Sequence, residues 1–295
     1  MSQSGVYWLQ QILNALQLGS IYALIALGYS MVYGILTMIN FAHGDVFMVG
    51  AFICFLAATL LKLPFVLTLL ITMTASAGLG VLIERLAYKP LRNAPRVSAI
   101  ITALGVGLFL ENLTLAFYPY PQHVPPLLHN VTWQLGGVAL SSLQLIVISL
   151  SLTLMLVLDY VVRRTPVGVA MRAISWDKTS VPLMGVPVNL IISITFAIGA
   201  GLAGAAGTMY SLAYPVIDPY MGIMVGWKAF IAAVVGGIGT IRGAVIGAFI
   251  LGGVEIMVVA LLPSTYRDLV VFSLLLTLIV IRPHGILGSP RVQKV

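Results

Sequence analysis

The sequence is poor in charged residues, which make up only 8% of its 295 positions. Roughly a quarter of the residues in an ordinary soluble domain are charged, and they cover its surface with groups that water solvates. Hydrophobic residues make up 60% of this chain instead. The balance excludes an ordinary soluble domain and favours a protein whose solvent is largely membrane lipid.

Cysteine and the common catalytic motifs are also scarce. Cys54 is the single cysteine, so the chain forms no internal disulfide, and the histidines are dispersed rather than clustered as metal ligands. The sequence contains no G-x-x-x-x-G-K-[ST], no H-E-x-x-H and no G-x-S-x-G. We therefore predict no enzymatic activity, no catalytic residue, no metal site and no cofactor held by this chain.

The formal net charge of +7 does not indicate nucleic-acid binding, because the basic residues lie between apolar runs rather than on one stripe. They are better explained as signals of membrane orientation. Basic residues concentrate in one set of alternate loops, which the positive-inside rule places in the cytoplasm. This predicts a cytoplasmic loop at about 163–186, a cytoplasmic C-terminal end and an external N-terminus.

Nine apolar segments predict helices that cross the membrane, since about 20 apolar residues span roughly 30 Å of hydrocarbon. The second and the seventh are short, and Gly, Asn or Pro borders several of them, which indicates broken or re-entrant helices. We predict an all-α polytopic membrane helical bundle of eight to ten segments in a single domain over residues 1–295. The nine segments are 12–34, 46–61, 64–88, 97–118, 139–162, 187–213, 221–235, 241–262 and 268–283.

Small residues recur at four-residue spacing in two of the late segments, a pattern that lets helix backbones approach closely in lipid. Close packing alone accounts for the pattern, and the alternative is that these helices slide against each other during a functional cycle. The two series are Gly199, Ala203 and Gly207, and Gly239, Gly243 and Gly247.

Polar residues inside apolar sequence are the candidates for a solute path. Asn40, His43, Gly44 and Asp45 interrupt the first apolar region, either as a helix break that lines a cavity or as a turn. A helix that starts there has a positive end, which favours a substrate carboxylate. Glu255 lies within the eighth segment, between glycines, and either lines the path or bonds a neighbouring helix. Glu111 is expected to occupy a solvated position near the outer end of its segment.

The predicted cytoplasmic loop contains a short amphipathic helix, with Val167, Ala170, Met171 and Ile174 on one face. Such a helix lies on the membrane surface or docks into a groove of a partner protein. The composition does not choose between these two roles.

Four separated motifs span nearly the whole chain. They occupy residues 28–35 with 38–45, residues 172–174 with 183–186, residues 228–230 with 236–239 and 242–244, and residues 283–288. These motifs resemble those of branched-chain amino acid ABC transporter permeases, and the resemblance is stronger to the LivH-type subunit than to its larger LivM-type partner.

The resemblance implies a multi-pass subunit of the bacterial inner membrane, in contact with membrane lipid. Its expected partners are a second permease subunit, two cytoplasmic subunits that bind ATP, and a periplasmic substrate-binding protein. It also implies that Arg172, Ala173, Asp177 and Gly185 couple this chain to the ATPases. Pro182 departs from the family pattern, and because proline interrupts helices we expect it to limit the docking helix.

The function implied by the resemblance is import of branched-chain or other neutral aliphatic amino acids, driven by ATP hydrolysis in the partner subunits. Permeases for urea, short amides or other amino acids have similar motifs and stay open as alternatives. A stand-alone channel or an ion-coupled carrier is a more distant one, for which Glu255 would be the coupling acid.

Overall fold

The computed structural model describes residues 3–92 and 94–288 and contains ten α-helices within them. Nine of these helices coincide with the nine predicted segments, and the tenth lies in the predicted cytoplasmic loop. The helices are α1 Gln3–Leu36, α2 His43–Thr59, α3 Phe65–Ile83, α4 Arg96–Phe117, α5 Ser142–Arg164, α6 Pro166–Trp176, α7 Val188–Ala213, α8 Met221–Gly236, α9 Ile241–Leu261 and α10 Tyr266–Ile281.

Six of the helices are long and apolar enough to cross a bilayer, namely α1, α3, α4, α5, α7 and α9. The span that begins with α3 extends to Tyr88, because the helix continues as a π-helix over Glu84–Tyr88. The helices α2 and α8 are apolar but shorter, as their segments predicted. The prediction of an all-α polytopic bundle with interrupted helices is therefore confirmed.

The helices α1 and α7 form the centre of the bundle. Helix α1 packs against α5, α7, α8 and α9, and α7 packs against α2 and α3. Glycines allow the close crossings: a Cβ added at Gly207 would lie 2.6 Å from the backbone nitrogen of Ala51, and one at Gly199 would lie 3.4 Å from the Cα of Gly28. Gly243 and Gly247 likewise face the backbone at the end of α8, around Gly236.

Gly239 differs from the other glycines of its series. It lies in the turn between α8 and α9, with a φ of 90°, and not within a helix. Its positive φ favours glycine because that backbone conformation strains a residue with a Cβ. The series in α9 therefore starts at Gly243. The prediction that Gly239 packs within a helix is wrong, because this residue forms the turn before α9.

Two small antiparallel sheets, which the sequence analysis did not predict, lie where α4 ends and α5 begins. Strand β1 (Gln122–His123) pairs with β4 (Val216–Ile217), and β2 (Thr132–Leu135) forms a hairpin with β3 (Val138–Ser141). The helix α5 leads from this hairpin to α6, so the sheets and the predicted cytoplasmic loop lie at opposite ends of the bundle.

Candidate functional site

A cavity of about 260 Å³ lies between α2, α4 and α8. Its wall combines two carboxyl groups with aromatic and aliphatic side chains, and none of the described residues that line it carries a positive charge. The lining residues are Tyr29, Phe41, Asp45, Leu104, Gly107, Leu108, Glu111, Gly222, Ile223, Gly226 and Trp227.

Glycines bring the three helices together around this cavity. A Cβ added at Gly226 would lie 2.7 Å from the Cα of Gly44, and one at Gly222 would lie 2.8 Å from Oδ1 of Asp45. On the opposite side, a Cβ at Gly107 would collide with Oδ2 of Asp45. The starts of α2 and α8 therefore meet here, and the carboxyl group of Asp45 lies between glycines of α4 and α8.

Asp45 and Glu111 form a buried acidic pair. Their exposed fractions are 6% and 5%, and the two carboxyl groups are close enough to interact electrostatically. Oδ1 of Asp45 is buried without a hydrogen-bond partner among the described residues. The expectation that Glu111 is solvated is wrong, because α4 turns this residue toward α2 rather than toward the surface.

Asn40 and His43 are close in sequence to Asp45, but neither lines the cavity. The hydroxyl of Tyr88 donates to Oδ1 of Asn40 at 3.0 Å, which attaches the segment before α2 to the end of the π-helix. His43 is 2% exposed and packs edge-on against Tyr29, with ring centroids 4.9 Å apart.

The start of α2 offers few donors to an anion. The N–H groups of His43 and Asp45 donate to the carbonyls of Asn40 and Ala42, each at 3.1 Å. The N–H of Val46 also donates to Ala42. These local bonds weigh against the idea that this helix end receives a substrate carboxylate.

Glu255 belongs to a second, separate polar cluster and is completely buried. Its Oε1 accepts a hydrogen bond from Nζ of Lys228 at 2.7 Å and forms an ion pair with Arg267, and its Oε2 accepts from the hydroxyl of Tyr22 at 2.8 Å. Lys228 also pairs with Asp268 at 2.8 Å. The cluster thus links α9 to α1, α8 and α10, so Glu255 faces other helices as its position between glycines predicted.

The amphipathic helix predicted in the cytoplasmic loop is α6, and the sequence defines both of its ends. Oγ1 of Thr165 accepts the N–H of Gly168 at 3.2 Å, and Pro166 occupies the first turn, so the helix start is capped. The guanidinium of Arg172 donates to the carbonyl of Val162, which fixes α6 against the end of α5.

The end of α6 is defined by Asp177. The N–H of Asp177 donates to the carbonyl of Ala173, and its Oδ1 accepts the N–H groups of Thr179 and Ser180 at 2.8 and 3.1 Å. Hydrogen bonds from the Ser180 hydroxyl and these N–H groups lower the pKa of Asp177. The helix thus ends at Trp176, before Pro182.

The segment after α6 returns to the bundle. Pro182 lies in a short 3₁₀-helix, Val181–Met184, which ends at Gly185 with a φ of 80°. Nζ of Lys178 donates to the carbonyl of Leu36 at 3.0 Å. The loop is therefore attached to the last residue of α1, the most buried of the candidate spans.

A family model described as "Branched-chain amino acid transport system / permease component" matches residues 11–280. The chain belongs to this family. Its members are transport permeases, so the interrupted helices, the cavity and the structured loop of this chain belong to a membrane permease.

Curated relatives match the chain over its full length. It is 40% identical to the high-affinity branched-chain amino acid transport system permease protein LivH of Salmonella typhimurium, over 100% of both chains. It is 40% identical to BraD of Pseudomonas aeruginosa over 98% of both, and 28% identical to a probable LivH of Methanocaldococcus jannaschii over 93% of this chain and 91% of the relative. Among solved structures, PsaBC from Streptococcus pneumoniae with a Fab is similar over 92% of this chain and 91% of that one, with a TM-score of 0.49 and 14% identity.

Several residues of the cavity were missed by the sequence analysis. Gly107, Gly222, Gly226 and Trp227 come from α4 and α8, far in sequence from Asp45. The sequence signal for this cavity is Glu111, an acidic residue inside an apolar segment, because such a residue is costly in lipid unless it faces other helices.

Proposed function

We propose that this chain is the permease subunit of an ABC importer that carries branched-chain or other neutral aliphatic amino acids across the bacterial inner membrane. The observation that carries the proposal is the 40% identity, over the whole chain, to permeases named for high-affinity branched-chain amino acid transport. The proposed assembly contains a second permease subunit, two cytoplasmic ATP-binding subunits that bind and hydrolyse ATP, and a periplasmic substrate-binding protein.

The surface of the predicted cytoplasmic loop supports the docking of a partner. Trp176, Leu183 and Met184 are 86%, 88% and 79% exposed, on a segment held by Arg172, Asp177 and Lys178. Large apolar side chains in this setting are typical of an interaction site. We assign Trp176, Leu183 and Met184 to the contact with an ATP-binding subunit, and Arg172, Ala173, Asp177 and Gly185 to the shape of the element that presents them.

The route from ATP to the transport path follows from the position of the loop. The loop contacts α1 through Lys178 and Leu36, and it leads directly into α7. Movement of the partner subunits therefore acts on the two central helices. ATP then shifts the balance between the outward-open and the inward-open state of the transporter, because it binds to one of these states more tightly than to the other.

The cavity favours an amino acid over the alternative substrates urea and short amides. Urea and short amides carry no ammonium group that could form charge-assisted hydrogen bonds with two buried carboxyl groups, whereas an amino acid does. The aliphatic side chains of Leu104, Leu108 and Ile223 on the same wall suit an aliphatic solute.

Uptake of labelled leucine at low concentration tests the proposal, in cells with and without the gene and with other leucine transport systems removed. We expect uptake to fall on deletion and to return on complementation, with isoleucine competing better than alanine or urea. Retention of leucine uptake after deletion, or preferential competition by urea, would overturn the proposed substrate. Purification in mild detergent tests the assembly, and a homo-oligomer without ATP-binding subunits would contradict it.

A further inference from the structure

The acidic pair of the cavity lacks a balancing cation among the described residues around it. Asp45 and Glu111 are both at least nine-tenths buried, and the cavity wall contains no Lys or Arg. Lys228, the lysine of α8, forms ion pairs with Glu255 and Asp268 and is therefore not free to balance the acidic pair. Two neighbouring carboxylates in a medium of low dielectric repel strongly, so they either share a proton or bind a cation.

One carboxyl oxygen of the pair is left unsatisfied by the described residues. Oδ1 of Asp45 is buried and has no hydrogen-bond partner among the described residues, although leaving such an acceptor unsatisfied is costly. The same carboxyl group lines the cavity, next to the rings of Tyr29 and Trp227. A bound cation would satisfy this oxygen and receive cation–π stabilisation from the rings.

The remaining wall and the size of the cavity define the kind of cation. The volume of about 260 Å³ holds roughly nine water-sized atoms at ~30 Å³ each, which is the size of a small aliphatic amino acid. The apolar wall suits an aliphatic side chain. Calcium and magnesium are less suitable, because they take six or more oxygen ligands, and no cluster of three metal-ligating side chains is found among the described residues.

We propose that Asp45 and Glu111 bind the ammonium group of the transported amino acid within this cavity, while Leu104, Leu108 and Ile223 contact its aliphatic side chain. The inference rests on the proposed function and deepens it, because it names the part of the solute that this chain recognises. An ammonium group donates three hydrogen bonds in a compact geometry, which matches two facing carboxyl groups. The glycines at 107, 222 and 226 have no Cβ, which leaves room for the carboxyl group of Asp45 between α4 and α8.

Protection of a cysteine on the cavity wall tests this site. Leu108→Cys is introduced into the complete reconstituted transporter, and the rate at which a maleimide alkylates the new thiol is measured. The parent chain, in which Cys54 is buried, gives the background rate. The probes are leucine, isopentylamine, which is leucine without its carboxylate, and leucic acid, which carries a hydroxyl in place of the ammonium. We expect leucine and isopentylamine to slow alkylation and leucic acid to leave it unchanged.

Two carboxyl variants then assign the effect to the acidic pair. In Asp45→Asn and in Glu111→Gln, the leucine concentration for half-protection is expected to rise about tenfold or more, as for the loss of a charge-assisted hydrogen bond. Asp159→Asn makes the same chemical change at a partly exposed site on α5, paired with Arg163, and is expected to leave protection unchanged. Gel filtration identifies any variant that fails to assemble, and Glu111→Gln alone carries the test if Asp45→Asn does not fold.

The outcomes separate this inference from the proposed function. Equal protection by leucic acid and leucine, or an unchanged half-protection concentration in the folded carboxyl variants, would overturn the ammonium site even if leucine uptake is normal. A second outcome is that the cells show no leucine uptake by this chain, while isopentylamine protects the cysteine and Glu111→Gln weakens that protection. This result would overturn the proposed substrate and support a site for an ammonium group.

Discussion

The buried ionic cluster around Glu255 allows a quantitative prediction for Lys228→Met. Lys228 and Arg267 carry two positive charges, and Glu255 and Asp268 carry two negative ones, so the cluster is neutral. The substitution removes one positive charge and leaves a net charge of −1 in a place where Glu255 is completely buried. We therefore expect the folded state to be destabilised.

The magnitude follows from the partners that remain. Removing one member of a buried ion pair costs about 3–5 kcal/mol when the other charge is left uncompensated. Arg267 and the hydroxyl of Tyr22 still contact Glu255, and the side chain of Asp268 is 43% exposed. We therefore expect the lower end of the range, about 3 kcal/mol, which lowers the unfolding temperature by roughly 6–12 °C in a protein of this size class.

Thermal unfolding of the purified protein in detergent, followed by tryptophan fluorescence, measures this effect. Arg163→Met provides a matched control, because it breaks the partly exposed pair with Asp159, and such a pair contributes about 0.3–0.5 kcal/mol. Glu255→Gln is made alone and together with Lys228→Met. The double variant keeps Arg267 and Asp268 and is neutral again, so it should be less destabilised than the sum of the single variants.

Strict additivity of Lys228→Met and Glu255→Gln would refute this reasoning, because it would show that the two groups do not interact in the folded protein. A shift for Lys228→Met no larger than that of Arg163→Met would refute it as well.

The other predictions concern helix packing and coupling. Gly226→Ala should destabilise the protein by about 1–3 kcal/mol, because the added Cβ collides with the start of α2. Gly105→Ala, where an added Cβ meets nothing within 4 Å, should be neutral or slightly stabilising. The unfolding temperatures of the two variants measure the difference, and equal effects would contradict the close approach of α8 to α2. Arg172→Glu should reduce uptake severalfold at normal expression by releasing α6 from α5, and undiminished uptake, or the same loss in the neighbouring charge reversal Arg164→Glu, counts against this role. Trp176→Ser should weaken co-purification of the ATP-binding subunits while the unfolding temperature stays the same, and unchanged recovery of those subunits would remove Trp176 from the contact.

The sequence predicted the helices well because their main determinant is local. In lipid the backbone must satisfy its own hydrogen bonds, so a long apolar segment is a helix whatever it packs against. All nine apolar segments are helical, and the one large difference is the start of α1, at Gln3 instead of residue 12. The first residues of α1 are polar enough to hide the helix from a hydropathy criterion.

The structured loop between α5 and α7 was also largely predictable from the sequence. The apolar spacing of Val167, Met171 and Ile174 predicted a helix, and Thr165 with Pro166 defines its start in the structure. These signals lie within a few residues of each other, and local hydrogen bonds determine the result. The order of the helices in space was not readable in this way, since it depends on which faces pack together.

The candidate site shows the limit most clearly. The sequence identified Asp45 and Glu255 as polar residues in unfavourable surroundings, but it did not indicate that Asp45 pairs with Glu111 while Glu255 pairs with Lys228 and Arg267. These partners lie 66, 27 and 12 positions away along the chain. Burial of a charge predicts that a partner exists, whereas only the packing of the helices determines which residue it is.

The sequence by itself determined that the chain is a membrane-embedded helical bundle of the permease family with a structured loop between α5 and α7, because composition, apolar length and local motifs carry that information. The tertiary structure alone decided which polar residues form the cavity and which stabilise the bundle. Asn40 and His43 pack against neighbouring helices, while Asp45 meets Glu111 at a crossing that Gly44, Gly107 and Gly226 make possible. The physical reason is that close approach of helices depends on residues from several segments at once, which no local pattern records.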